Sequence, residues 1–123
     1  MRGSASAASR TPFTTETREL GPALVVEMHG ELDLASAEVA RTALDVAANR
    51  KPETVIADLC DVHLLDSTGL MVLLDAAHDE RVSDFGIVCP GGLPARGVIS
   101  ITGISEMLEI LDSREELESR FGR

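Results

Sequence analysis

The stretch ETVIADLCDVHLLDSTGLMVLLDAA, residues 53–77, decides the fold, because it joins a strand directly to a helix. Its segment TVIADL (54–59) is short and almost wholly apolar, which is typical of a central strand covered on both faces. A helix is predicted from about residue 67 to 80, where apolar residues recur at helical spacing: Leu70, Leu73, Leu74 and Ala77. Between strand and helix lies DSTG (66–69), an acid and two hydroxyls followed by a glycine. Polar residues at this junction point to a helix cap, a nucleophile or a phosphate acceptor.

Strands and helices alternate on both sides of this unit. Two strands, 13–20 and 23–30, flank a Gly21-Pro22 turn, which predicts a β-hairpin. Further helices are expected at 35–50, 94–103 and 113–122, and further strands at 84–90 and 106–111. The resulting order ββαβαβαβα is typical of a single α/β domain with a mostly parallel sheet, to which the hairpin adds an antiparallel edge.

The length of the chain and its apolar pattern limit the classes of protein to which it can belong. Its 123 residues suffice for one domain with a real core. No apolar run approaches the roughly 20 residues that a membrane-spanning helix needs. Residues 1–12 are small and polar and lack the apolar core of a secretory signal. We therefore expect a disordered N-terminal segment on a cytoplasmic protein that does not bind membranes.

The charge and the cysteines exclude several kinds of site. A net charge of −10 argues against a nucleic-acid partner, because phosphate binding needs a basic surface, and favours a basic protein surface instead. Cys60 and Cys89 lack CxxC spacing and are predicted to be small buried residues. The three histidines show no finger-like spacing, so we expect no metal and no cofactor.

Two active-site interpretations of this region fail on individual residues. LDSTG departs from the G-x-S-x-G turn of hydrolases at Leu65, and His78, on the same helix as Ser67, would lie about 16 Å from it. A response-regulator receiver with Asp58 as phosphate acceptor would need a lysine after its last strand, whereas the one lysine is Lys51. We therefore predict no catalytic residue and no enzymatic activity.

Two roles remain for Ser67. Serine is a preferred N-cap, and Asp66 beside it would complement the helix dipole. In the other role Ser67 accepts a phosphate. Acids expected near it, at strand ends, are Asp33, Asp58, Asp61 and Asp66. A phosphate would add about −2 charge there and repel a partner that fits the neutral form, while the local fold persists.

Two stretches together resemble the STAS domain of anti-sigma factor antagonists. They are VVEMHGELDLASA (25–37) and VIADLCDVHLLDSTGLMVLLDAA (55–77), and the resemblance covers about residues 13–120, so we expect a STAS domain at 13–123. It implies a small sheet with about four helices packed mainly on one side. It also implies a protein that binds an anti-sigma factor serine kinase and thereby releases a sigma factor. The kinase, with its own ATP and magnesium, phosphorylates the antagonist and ends binding, and a phosphatase restores it.

The resemblance also assigns roles to residues. It makes Ser67 the phosphate acceptor, with Thr68 as the competing acceptor, and surrounds it with Asp33, Asp66 and Gly69. The implied partner-binding residues are Glu31, Asp33, Asp66, Ser67, Thr68, Leu70 and Met71.

Several roles stay open in the sequence. Gly69 permits close approach of the partner or of a neighbouring strand, or only starts the helix. Leu70 and Met71 belong either to the partner surface or to the core. Met71 stands where relatives often have a second glycine, and the acidic segment 75–84 stands where they often carry lysines, which concerns the identity of the partner.

A second function is compatible with the same residues. A STAS module that is never phosphorylated would bind a small anionic ligand at the start of the helix, or scaffold a larger assembly.

Overall fold

The computed structural model of the chain describes residues 12–103 and 109–122. Its strands are β1 (Thr14–Leu20), β2 (Ala23–Leu32), β3 (Thr54–Leu65), β4 (Asp84–Val88) and β5 (Glu109–Leu111), and its helices are α1 (Ala37–Asn49), α2 (Ser67–Ala77), α3 (Pro94–Thr102) and α4 (Arg114–Phe121). The predicted disordered segment lies outside the described residues apart from Pro12, and so do residues 106–108 of the last predicted strand. Among the helices that the structure describes, none has the length and apolarity needed to cross a membrane.

The five strands form one sheet in the order β1-β2-β3-β4-β5. The β1–β2 pair is antiparallel and the other three pairs are parallel, which confirms the predicted hairpin and the mostly parallel sheet. Gly21 in the hairpin turn has φ +58°, a left-handed conformation that glycine adopts without strain.

Strand β3 is longer than the sequence predicts, ending at Leu65 rather than at residue 59. Its pairing with β4 stops at Asp58, opposite Val88, but its pairing with β2 continues to Leu65, opposite Leu32. The extension therefore has a neighbour on one side only, and it lacks the continuous apolar pattern of the doubly covered part. Because β2 and β3 end at the same level, the loops that follow them lie side by side.

The helices are divided unequally between the two faces of the sheet, as expected. One apolar cluster joins β2 and β3 to α1, α2 and α3, and its largest fully buried side chains include Met28, Leu32, Leu59 and Leu73. A smaller cluster on the other face joins Val25 and Ile56 to Leu117 of α4. Cys89 is buried as predicted, whereas Cys60 is half-buried. Desolvation raises the pKa of the Cys60 thiol to about 12 and that of the Cys89 thiol to about 11, so both stay protonated.

Helix α4 is attached to the sheet by an ion pair with a fully buried aspartate. Arg114 Nε donates to Asp58 Oδ2 at 2.8 Å, and Arg114 Nη2 donates to Asp61 Oδ2 at 2.8 Å. The Asp58 side chain is 0% exposed, and its other oxygen accepts from the Cys60 amide at 2.9 Å. The bond from Arg114 lowers the pKa of Asp61. The expectation that Asp58 and Asp61 surround Ser67 is therefore wrong, since both bind the helix on the opposite face.

We expect Arg114→Met to lower the free energy of unfolding by about 3 kcal/mol, because it leaves the buried Asp58 carboxylate without its cation. Arg120→Met, which removes a surface pair with Glu109 on the same helix, should cost less than about 1 kcal/mol. Urea denaturation at pH 7 measures both.

The difference between Arg114→Met and the wild-type protein should depend on pH. Because the folded pKa of Asp61 is lowered below 3.8, its contribution is fully present above the unfolded pKa and is lost as pH falls through the folded value. The difference should therefore shrink below about pH 4. A difference that is constant from pH 7 to pH 3 would contradict this role for the pair.

Candidate functional site

Helix α2 begins with an aspartate cap. Asp66 has extended backbone angles (φ −103°, ψ −175°), and its Oδ1 accepts from the Gly69 amide at 2.9 Å. A carboxylate at this place satisfies a free amide of the first turn and also faces the positive end of the helix dipole. The interpretation of Ser67 as the cap is therefore wrong: Ser67 is the first residue inside the helix.

The same aspartate connects the two loops that follow β2 and β3. Its Oδ2 accepts from the Leu34 amide at 3.3 Å, and its own amide donates to Leu32 O at 3.2 Å. In the neighbouring loop, Asp33 Oδ1 accepts from the amides of Ala35 and Ser36 at 3.0 and 3.2 Å. The two acids of the predicted site are thus brought together, and both are used to hold backbone in place.

Gly69 is required by the neighbouring strand. It is buried, and a Cβ at this position would lie 2.5 Å from Leu32 O and 2.9 Å from Leu65 Cδ1. Of the roles left open in the sequence, close approach to β2 is the one that the geometry supports. The glycine allows the start of α2 to sit against the end of β2, which is also what brings Leu34 within reach of Asp66.

Ser67 and Thr68 differ in accessibility. Ser67 is exposed, and its hydroxyl makes no hydrogen bond to any residue in the described ranges, whereas Thr68 is half-buried. Asp66 likewise forms no ion pair with a described residue. The Ser67 hydroxyl therefore stands at the surface beside a carboxylate whose charge is not neutralised by an arginine or lysine of the described chain.

Apolar side chains flank the hydroxyl. Met71, one turn after Ser67, is 51% exposed, whereas Leu70 is 8% exposed and belongs to the core, so its assignment to the partner surface is wrong. Leu34, in the loop held by Asp66, is 77% exposed. Sequence reasoning missed Leu34, because it falls in a turn where neither strand nor helix periodicity applies. Glu31 is half-buried near the end of β2, opposite Leu64.

Two of the three histidines, His29 and His78, contact groups other than Ser67. Nδ1 of His78 is 2.8 Å from Leu74 O of its own helix, and Nδ1 of His29 is 3.1 Å from Asp61. His29, Glu16 and Glu27 are close enough to hold a metal ion together, but Glu27 already binds Arg18 at 2.9 Å. None of these groups is joined by a described hydrogen bond to Ser67, which would be needed for a hydrolytic nucleophile.

Comparison with known protein families identifies the family of the chain. The model of the STAS domain matches residues 14–117, and the chain belongs to this family. No protein of curated function matches the sequence.

Solved structures share the fold at low sequence identity. An anti-sigma factor antagonist from Mycobacterium paratuberculosis is 23% identical, with a TM-score of 0.80 over 91% of this chain and 97% of that one. The Bacillus cell fate determinant SpoIIAA in its phosphorylated form is 18% identical, with a TM-score of 0.62 over 89% and 99%. A sulfate transporter family protein from Wolinella succinogenes is 19% identical, with a TM-score of 0.60 over 76% and 81%. The fold is thus shared by antagonists and by a transporter family, and the local geometry has to distinguish between functions.

We expect Gly69→Ala to lower the free energy of unfolding by about 1–3 kcal/mol, because the added methyl group overlaps the Leu32 carbonyl. Gly97→Ala in α3 is the matched control, since a Cβ there meets nothing within 4 Å. The control should raise stability by about 0.5–1 kcal/mol, as expected for a glycine inside a helix. Thermal and urea unfolding measure both, and equal effects of the two variants would contradict the assignment of Gly69.

Proposed function

We propose that this protein is an anti-sigma factor antagonist that binds an anti-sigma factor serine kinase and is released when that kinase phosphorylates Ser67. The observation that carries the proposal is the exposed hydroxyl of Ser67, which forms no hydrogen bond within the described residues, at the first position of a helix whose start is held by Asp66. Membership of the STAS family and the antagonist relatives support it. The chain itself binds no cofactor and catalyses no reaction, and it acts in the cytoplasm.

Ser67 is the better acceptor of the two hydroxyl residues. In the transfer, its oxygen forms a bond to the γ-phosphorus of ATP on the kinase, the bond to ADP breaks, and a base of the kinase takes the hydroxyl proton. The hydroxyl must therefore reach another protein's active site. Ser67 is exposed and Thr68 is half-buried, so Ser67 needs no local unfolding for the reaction.

The unphosphorylated surface near Ser67 offers exposed apolar side chains to a partner. Leu34, in the loop held by Asp66, and Met71, one turn after Ser67, are both exposed, and an exposed apolar side chain favours binding when a partner removes it from water. A phosphate on Ser67 would have to be desolvated when the partner docks, and Asp66 beside it supplies a second negative charge rather than a cation. Binding is lost for this reason even when the rest of the partner is basic.

Phosphorylation leaves the fold of the antagonist intact. A phosphate at the first position of a helix is favoured by the helix dipole, and no described bond of the Ser67 hydroxyl is broken. A separate phosphatase can therefore restore the binding form by hydrolysis alone.

The alternative function, anion binding at the start of α2 without phosphorylation, is not favoured by the geometry. The Gly69 amide that such an anion would use is already bound by the Asp66 carboxylate. A free anion that approached the remaining amides of the first turn would be repelled by that carboxylate.

Phosphorylation and binding are tested together with purified anti-sigma factor kinases from the same genome. We expect mass spectrometry to find phosphate on Ser67 after incubation with ATP, and to find it still in Thr68→Ala but not in Ser67→Ala. Ser67→Ala should bind the kinase like the wild-type protein. Ser67→Asp should bind at least about 30-fold more weakly, since an unpaired charge buried in an interface costs about 2 kcal/mol or more. Phosphate on Thr68 alone, or normal binding of Ser67→Asp, would contradict the proposal.

The apolar anchors are tested by truncation. We expect Leu34→Ala to weaken kinase binding by about tenfold, because the partner would no longer bury the exposed leucine side chain. Ile101→Ala is the matched control: Ile101 is 86% exposed near the end of α3, away from the edge where the helices begin, and its loss should change affinity less than about twofold. Calorimetric titration measures both, and equal effects would argue against a specific role of Leu34.

A further inference from the structure

A groove of about 380 Å³ lies between helices α1 and α2. Its floor is apolar and includes Val55, Val72 and Phe85. Its rim carries four acids and two arginines, namely Glu38, Asp45, Asp75, Asp79, Arg41 and Arg81. An apolar floor inside a charged rim is the arrangement expected where an apolar side chain is received and charged neighbours orient it.

The rim is a network of ion pairs in which the acids outnumber the arginines. Arg41 binds Asp75 at 2.7 Å, which joins α1 to α2, and Arg81 binds both Asp45 and Asp79, at 2.7 and 2.6 Å. Both arginines are thus engaged within the rim. Glu38 forms no ion pair with any residue of the described ranges, so its charge is available to an incoming group.

The groove is continuous with the surface that carries Ser67. Ser67, Met71 and Asp75 are exposed and follow one another at intervals of four residues, so they form one ridge along α2. The ridge extends about 12 Å from the hydroxyl to the rim of the groove. On the α1 side, Glu38 and Arg41 line the same groove, and exposed Leu34 lies in the turn before that helix.

The size of a specific interface requires a contact larger than the capped loop. A stable complex buries about 800 Å² on each partner and involves about 20–30 residues a side. Ser67 and its two apolar neighbours form only a small part of such an area. A protein that docks over Ser67 therefore has to extend over adjoining surface, and α2 leads it directly onto the groove.

We infer that the kinase bound at Ser67 inserts an apolar side chain into the α1–α2 groove and places lysine or arginine residues beside it, against Glu38 and the acidic rim. This inference rests on the proposed function and names the chemistry of the partner at that site. Charge complementarity supports it, because the rim has twice as many acids as arginines and the whole chain has a net charge of −10. Phosphorylation and recognition thereby use two parts of one helix: the first turn of α2 carries the regulated hydroxyl, and its second half carries the groove that holds the partner.

Two substitutions test the groove without altering the core or the phosphate acceptor. Thr42→Trp fills the groove from an exposed position of α1, and Glu38→Lys reverses the unpaired charge of the rim. Their controls are Ser119→Trp, at an exposed position of α4 on the opposite face, and Glu53→Lys, which makes the same charge change before β3. Circular dichroism and thermal unfolding establish that all four proteins are folded.

Calorimetric titration with the purified kinase that binds the wild-type chain gives the affinities. We expect Thr42→Trp to weaken binding by about tenfold or more, and Ser119→Trp by less than about twofold. Glu38→Lys should weaken binding by about fivefold at low salt, and this effect should become smaller at 0.5 M NaCl, whereas Glu53→Lys should change little at either salt concentration.

The outcomes distinguish a failure of the groove as a contact from a failure of the proposed function. Normal binding of Thr42→Trp and Glu38→Lys, together with loss of binding by Ser67→Asp, would overturn the groove as a contact and leave the proposed function standing. Failure of the wild-type chain to bind any of the anti-sigma factor kinases would overturn both. If Thr42→Trp instead abolishes self-association of the chain in sedimentation experiments and leaves kinase binding intact, the groove receives a second copy of the chain and the inference is wrong.

Discussion

The Asp66 carboxylate is the constraint on which the rest of the site depends. One of its oxygens binds the Gly69 amide and the other binds the Leu34 amide, so a single side chain joins the start of α2 to the loop after β2. The joining is possible because β2 and β3 end opposite each other and because Gly69 lets the helix approach Leu32 closely. Ser67, the next residue, is thereby exposed at a fixed place next to the loop that carries Leu34. A modification of its hydroxyl changes the surface and leaves the supporting bonds as they were.

The acids of the chain have two distinct uses, and the two faces of the sheet separate them. Asp58 and Asp61 are both bound by Arg114 and attach α4, so one of their two charges is compensated inside the domain. Within the described residues, Asp66 accepts from backbone amides alone and forms no ion pair, so no cation of that part of the chain lies against it beside Ser67. The acids around the α1–α2 groove are paired in part and leave an excess of negative charge. The surface that we propose for the partner is therefore acidic around the groove, with exposed apolar side chains at Leu34 and Met71.

The order of the elements and the topology of the sheet follow from local patterns, and the sequence predicts them well. The position of Ser67 at a strand-to-helix junction is predicted for the same reason. The residue that caps the helix is not predicted, because serine and aspartate are equally good caps. The backbone alone decides which of them precedes the helix. The neighbours of Ser67 also depend on tertiary structure: Asp58 is paired with an arginine 56 residues later in the chain, and Leu34 lies in a turn without periodicity. Contacts of this kind become visible only when the strands are placed side by side.

The central claim is that phosphate on Ser67 changes a binding surface without changing the fold. The most direct measurement compares the amide NMR spectra of the fully phosphorylated and the unphosphorylated chain, and the affinity of each for the kinase. The account predicts shifted amide signals confined to residues near Ser67 and in the neighbouring loop from Asp33 to Ser36, together with loss of kinase binding. Signals that change throughout the sheet, or a phosphorylated chain that still binds the kinase with unaltered affinity, would contradict it.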